Sequence, residues 1–167
     1  DNDPALGGTG SSDWSDAYME FTASEAGTYY VAVSGYYNDP LDATGTSSYT
    51  GDYVVNISLD DTYAIASNAD LLTGATDLDY IGFTTSTNVN LTDDTLLTVS
   101  LTHEILDGYT DVNFYEFNLA AGSQVILDID DGVDDWGYDL DSMLWLYDTS
   151  GALVASNDGN DPMLGGL

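Results

Sequence analysis

Residues 51–59 read GDYVVNISL, and they decide the fold class. In an extended chain Tyr53, Val55, Ile57 and Leu59 fall on one side, while Asp52, Asn56 and Ser58 fall on the other. That period of two is the mark of a strand with one face in a core and one toward water. The same alternation recurs along the chain. GTYYVAVSG (27–35) turns Tyr29, Val31 and Val33 inward; VNFYEFNL (112–119) turns Tyr115, Phe117 and Leu119; SQVILDID (123–130) turns Val125, Leu127 and Ile129; SMLWLYD (142–148) offers Leu144 and Leu146. Helical spacing of apolar residues is hard to find.

Gly-containing turns separate these runs. Asp148-Thr149-Ser150-Gly151 stands between SMLWLYD and ALVAS and reads as a tight hairpin, with Gly151 taking the positive φ that other residues resist. Pairing is therefore expected to be antiparallel there. Short strands at this spacing predict an all-β protein, a sandwich of about eight or nine strands. Between Asp60 and Asp111 the pattern is less regular: TLLTVSL (95–101) is a clear strand, and polar clusters such as TTSTNVNLT (84–92) suggest peripheral strands at most.

Composition sets a second boundary. The chain has 30 Asp plus Glu, no Lys or Arg, one His and a formal net charge of −30, so no ion pair to Lys or Arg can form inside it. A charge of this size would suggest disorder, but 43% hydrophobic residues, with 13 Tyr, 4 Phe and 3 Trp, supply a core. Such a surface repels nucleic acid and anionic lipid, which are bound through Lys and Arg. No apolar run approaches the ~20 residues of a membrane span, so membrane insertion is not expected. Crowded carboxylates disfavour one another's ionisation and destabilise the compact state unless cations gather, and calcium, a hard ion that takes oxygen ligands, is the expected remedy. Without Cys there are neither disulfides nor thiolate metal sites.

The chain also opens and closes on one phrase. Residues 1–9 read DNDPALGGT and residues 156–167 read SNDGNDPMLGGL; with Asn2 set on Asn160, Asn, Asp, Pro, Leu, Gly and Gly coincide. The expectation is one period of a longer repeating object, cut inside a domain. Residues 111–167 then need partners like those in residues 1–59, supplied by the same chain through circular closure or by the next unit. Completion between successive units, by strand exchange, is the expectation preferred on sequence grounds.

The runs DVNFYEFNLAAGSQVILDID (111–130), DLDSMLWLYDTSGALVASNDGNDP (139–162), SSDWSDAYMEFTASEAGTYYVAVSGYY (11–37) and GDYVVNISL resemble the bacterial pre-peptidase C-terminal domain in its tandem form. DDTYAIASNADL (60–71) is similar to the opening of that family's unit, and Thr73 to Asp94 matches poorly. The order is rotated relative to the family: residues 1–59 correspond to the C-terminal half of one unit, 60–110 to a junction and the first strands of the next, and 111–167 to the core N-terminal half of that next unit. The resemblance implies a β-sandwich with jelly-roll-like topology, calcium binding, and secretion or surface display. It carries acidic positions over to Asp16, Asp139, Asp141, Asn157 and Asp158, with Asp130 as an addition and Asp161, repeated at Asp3, extending the same loop.

A metal is also argued from the residues alone. Asp139 and Asp141, two apart at the start of a strand, send their carboxylates to one side, and the hairpin through Gly151 returns Asn157 and Asp158 beside them. An ion with ligands at about 2.3–2.6 Å would turn that repulsion into a clamp. Better-defined calcium loops do not hold. NDGND and DIDDGVDD lack the EF-hand spacing, and GGTGSSDW misplaces the Asp of the β-helix repeat by one position.

Catalysis finds little footing. His103, beside Glu104, is the only imidazole, and neither a Gly-x-Ser-x-Gly elbow nor a Cys nucleophile accompanies it. No enzyme activity is expected, and His103 reads as a surface or junction residue. Asn56-Ile57-Ser58 and Asn90-Leu91-Thr92 are sequons, and Asn56, on the side read as outward, would accept a glycan without disturbing the core. Tyr18, Tyr30, Tyr36, Tyr37 and Tyr49, read as exposed, suggest contact surfaces between units or a ligand platform. Together these features predict an extracellular or cell-surface repeat, stabilised by calcium and structural or adhesive in role, assembling with copies of itself or adjacent repeats into an array or filament. The alternative is a binding accessory of a secreted hydrolase that grips protein fibres or polysaccharide, with Trp14 and Trp136 in its groove.

Overall fold

The computed structural model describes residues 16–36, 38–41, 44–45, 49–60, 74–78, 82–86, 91, 95–106, 110–131 and 140–158, with the backbone alone for residues 39, 44, 45, 131 and 158. Twelve strands lie within them: β1 Tyr18–Thr22, β2 Gly27–Gly35, β3 Asn38–Asp39, β4 Thr44–Gly45, β5 Gly51–Leu59, β6 Thr76–Asp77, β7 Thr84–Thr85, β8 Leu97–Ile105, β9 Val112–Leu119, β10 Gln124–Asp131, β11 Ser142–Tyr147 and β12 Leu153–Asp158. Eight of these have five residues or more and build the sandwich. One sheet runs β1-β10-β5-β8-β7 and the other β12-β11-β2-β9-β6, with β3 and β4 as a separate ribbon. Among the described residues, no helix is long and apolar enough to cross a membrane.

Every inward residue named from alternation is buried. Tyr53, Val55, Ile57 and Leu59 meet Tyr29, Val31 and Val33, Tyr115, Phe117 and Leu119, Val125, Leu127 and Ile129, and Leu144 and Leu146 in one core. Each fully buried side chain of this size contributes about 1.5–3 kcal/mol. The β11–β12 hairpin forms as expected. Asp148 Oδ1 accepts bonds from the Ser150 amide at 2.8 Å, the Ser150 hydroxyl at 2.6 Å and the Ala152 amide at 3.0 Å, and Gly151 has a φ of 78°.

The two halves of the sequence complete each other within one chain. β10 lies between β1 and β5, and β2 between β11 and β9, all antiparallel. Strands of residues 18–59 thus pair with strands of residues 112–158 within the chain, the circular closure that the sequence offered beside exchange between units. The closure leaves no long strand of either half unpaired, as its exposed backbone groups would be an open edge. Among the described residues antiparallel pairing has one exception, β6 beside β9, which is parallel with Thr76 opposite Tyr115.

The outer faces depart from the sequence reading. Asn56, Ser58 and Thr98 are buried on the outside of the first sheet, so the end of GDYVVNISL, from Asn56 on, is covered on both sides, while Asp52 is exposed. Their polar atoms are satisfied across strands, with Ser58 Oγ and Thr98 Oγ1 2.8 Å apart. Tyr30 and Ala32 are buried on the outside of the second sheet in a small cluster with Tyr147, packed against Ala75, Val112, Phe114 and Trp145. Of the tyrosines read as exposed, Tyr18 and Tyr30 are therefore buried, Tyr36 is half-buried and Tyr49 is exposed. Tyr37 lies outside the described residues. Alternation identifies one buried face and is silent about whether the other is covered, which is why these positions were misread.

Candidate metal centre at the β1 rim

Asp16, Ala17 and Tyr18 lead into β1, and the residues singled out from sequence gather around them. Across the sheet Tyr18 is in register with Asp128, and the Ile129 amide donates to the Ala17 carbonyl at 3.0 Å, which continues the pairing toward Asp16 and Asp130. The opposite sheet reaches the same tripeptide. The Ala17 amide donates to Ser142 Oγ at 3.0 Å, and the Tyr18 amide donates to Asn157 Oδ1 at 3.2 Å. β11 and β12 therefore clamp the start of β1. Ser142 follows Asp141, whose carbonyl accepts the Tyr36 amide at 2.7 Å.

The carboxylates at this rim are withdrawn from water. Asp16 is 4% exposed, and Asp130 and Asp141 are 8% exposed. Asp130 alternates with the inward Ile129 and so stands on the outer face of β10, beside β5. Asn56 Nδ2 donates to Asp130 Oδ2 at 2.7 Å, and Ser100 Oγ donates to Asn56 Oδ1 at 2.6 Å, a three-residue chain across β10, β5 and β8. The other oxygen, Asp130 Oδ1, is buried and has no hydrogen-bond partner. Burial pushes the Asp130 carboxyl up to about 6; the bond from Asn56 works against this, and the charge of Asp16 adds to it. A buried carboxylate oxygen without a donor, facing a second carboxylate, is expensive unless a cation or a proton compensates.

Asp16, Asp130, Asp141 and Asn157 thus lie on segments that meet at one rim. The Asn157 oxygen accepts the Tyr18 amide, so this residue positions β1. Asp139 and Asp161 lie outside the described residues, as does the Asp158 side chain, whose backbone pairs with Met143. Among the described residues, no group of three or more His, Asp or Glu side chains is arranged to hold a metal ion. What those residues supply is a partial donor set: the orphaned Asp130 oxygen with Asp16 opposite. Donor chemistry of this kind, all oxygen and anionic, suits a hard cation.

Sequence reasoning missed Asn56, Ser100 and Ser142. Asn56 was read as an exposed glycan acceptor, yet it is fully buried with both amide atoms bonded, so the folded domain offers no nitrogen there for a sugar. Asn90 lies outside the described residues. The signal for Asn56 was its place on the same outward face as Asp128 and Asp130 once register is known, Asn56 standing opposite Asp128. No family model, curated protein or solved structure matches the chain.

Proposed function

We propose that this domain is a calcium-stabilised structural or adhesive repeat of a secreted or cell-surface protein. The observation that carries the reading is Asp130: a carboxylate 8% exposed, with one oxygen lacking a hydrogen-bond partner, in a chain of net charge −30 that has no Lys or Arg to neutralise it. A divalent ion held by Asp130 and Asp16, with Asp141 and the sequence-derived Asp139, Asp158 and Asp161 as further donors, would remove the cost of burying that charge. The likeness to the pre-peptidase C-terminal domain supports the same assignment and the extracellular setting. Array formation rests on the repeated phrase at residues 1–9 and 156–167. Strand exchange remains the proposed route of assembly, since each pairing between residues 18–59 and 112–158 is available equally to a neighbouring copy.

Thermal unfolding of the full chain in calcium and in chelator tests the reading. A ligand bound by the folded state alone stabilises by about 2.7 kcal/mol at a hundredfold excess over Kd. Calcium is therefore expected to raise Tm by several degrees, and imaging of the assembled material should show order lost on chelation. Identical melting curves in both conditions would defeat the proposal.

A further inference from the structure

β1 is the shortest of the eight strands that build the sandwich, and among the described residues it ends its sheet. What holds it is distant in sequence. β10 pairs along one side, with Tyr18 opposite Asp128 and Thr22 opposite Gln124, while Ser142 and Asn157 hold the Ala17 and Tyr18 amides from the other sheet. The other outermost strands are placed differently. β12 is tied to β11 by the hairpin capped at Asp148, and β6 and β7 have two residues each.

One end of the seat of β1 carries a conflict of charge. With Tyr18 opposite Asp128 and the Ile129 amide on the Ala17 carbonyl, the next pair in register is Asp16 opposite Asp130. Ala17 and Ile129 point into the core, so both carboxylates stand on the outer face. Asp16, Asp128 and Asp130 are all buried there, and the Asp130 Oδ1 has no hydrogen-bond donor. Like charges directly opposite destabilise a strand pair, and burial strengthens their repulsion. A cation between Asp16 and Asp130 turns that repulsion into a tie from β1 to β10. Its removal loosens β1 first.

The inward face of β1 sets what replaces it. Ala17, Met19 and Ala23 belong to the core, and Phe21 packs against it with its ring 5.9 Å from that of Tyr29. A vacated seat opens this core to water, so a segment with the same apolar alternation refills it. β1 of a second copy has that pattern. Ser24, Glu25 and Ala26, all exposed, join β1 in one sheet to β2 in the other, and so short a hinge invites swapping.

Resting on the calcium reading above, we propose that β1 is the strand exchanged between copies, and that the cation at Asp16 and Asp130 locks it into its own sandwich or a neighbour's.

Thr22 and Gln124 allow a direct test. The bonds at Ala17–Ile129 and Ala23–Ser123 make Thr22 and Gln124 a non-hydrogen-bonded pair, whose Cα separation of ~4.5 Å suits a disulfide. The chain has no Cys of its own. Full-length Thr22→Cys and Gln124→Cys are mixed, held either in chelator or in calcium, and then oxidised in calcium. A disulfide between the two variants reports β1 of one copy lying on β10 of the other. Thr22→Cys mixed with Leu106→Cys, at an exposed position, measures chance collision. After chelation the heterodimer is expected severalfold above that control, and with calcium throughout it is expected at the control level. Adding Asp130→Asn to the Gln124→Cys chain removes the opposing charge and is expected to lower the yield in chelator severalfold. The proposal is overturned if chelation leaves the yield at the control level, if the yield is the same with and without chelation, or if Asp130→Asn does not lower it. Melting in calcium and in chelator reports on the cation separately: a Tm raised by calcium, with no heterodimer after chelation, removes the exchange of β1 and leaves calcium binding standing.

Discussion

Asn56 and Asp130 meet diagonally across adjacent strands, both buried on the outside of a sheet, with the amide donating to the carboxylate at 2.7 Å. The bond satisfies Oδ2 and leaves Oδ1 to the cation proposed above. Without that cation, Asp130 is a net cost to the fold at neutral pH. Asp130→Asn is therefore expected to raise the stability of the chelated protein by roughly 1–2 kcal/mol, a value reduced for solvent screening. The same change should abolish most of the gain from calcium. Denaturant unfolding of both proteins in calcium and in chelator checks this, and a calcium response that persists in Asp130→Asn would remove Asp130 from the site.

The pH dependence follows from the same residue. Its carboxyl titrates at about 6 in the folded chain, against an ordinary value of 3.8. Between these values the folded state holds the proton more tightly, so the contribution of Asp130 to stability is full below 3.8 and is lost as pH rises through 6. Asp148 works in the opposite sense. Bonds from Ser150 and Ala152 hold its carboxyl below the usual range, so the stability it contributes is present above that range and lost on acidification. In metal-free buffer, the difference in stability between the wild type and Asp130→Asn should shrink as pH falls from above 6 toward 4. Melting curves across that interval measure it; a difference that does not change with pH would contradict the assignment.

The inward faces of β2, β5, β9, β10 and β11 were legible because alternation is local: Val31, Ile57 and Phe117 announce themselves within a few residues. Asp16, Asp141 and Asn157 sit in short recognisable runs and could be singled out for that reason. What escaped is set by register between strands far apart in sequence. Nothing near Asn56 says that it will bond Asp130 diagonally across β10, or that Ser100 will bond it from β8. The covered outer positions Tyr30 and Ala32 escaped likewise, as did the parallel pairing of the two-residue β6 with β9, which is too short to leave a periodic trace.

Tyr53 and Tyr115 share a hydrogen bond of 2.7 Å between their hydroxyls inside the core. Burial pushes both phenols up, so neither ionises at any ordinary pH. Tyr53→Phe removes one hydroxyl and strands the other, which should cost about 1–3 kcal/mol. Tyr115→Phe should cost less, because the Tyr53 hydroxyl keeps its bond with Asn113. The double variant should cost less than the two single changes added together, since no unpaired hydroxyl remains. Strict additivity in denaturant unfolding would show that the two hydroxyls do not depend on each other.

Gly27 opens β2 where the β11–β12 turn crosses it, and a methyl group added there would run into Thr149 Cγ2. The obstacle is the branch of one side chain, not the backbone, and the Gly27 φ of 159° lies close to extended geometry. Gly27→Ala should therefore destabilise the protein by about 1–3 kcal/mol through overpacking. Thr149→Ser, which deletes the offending methyl and keeps the hydroxyl, should be nearly neutral alone and recover most of the loss when combined with Gly27→Ala. Unfolding free energies of the four proteins decide the matter. If Thr149→Ser does not rescue, the cost at Gly27 comes from its backbone conformation, and the close approach of the hairpin turn to β2 is not what selects glycine there.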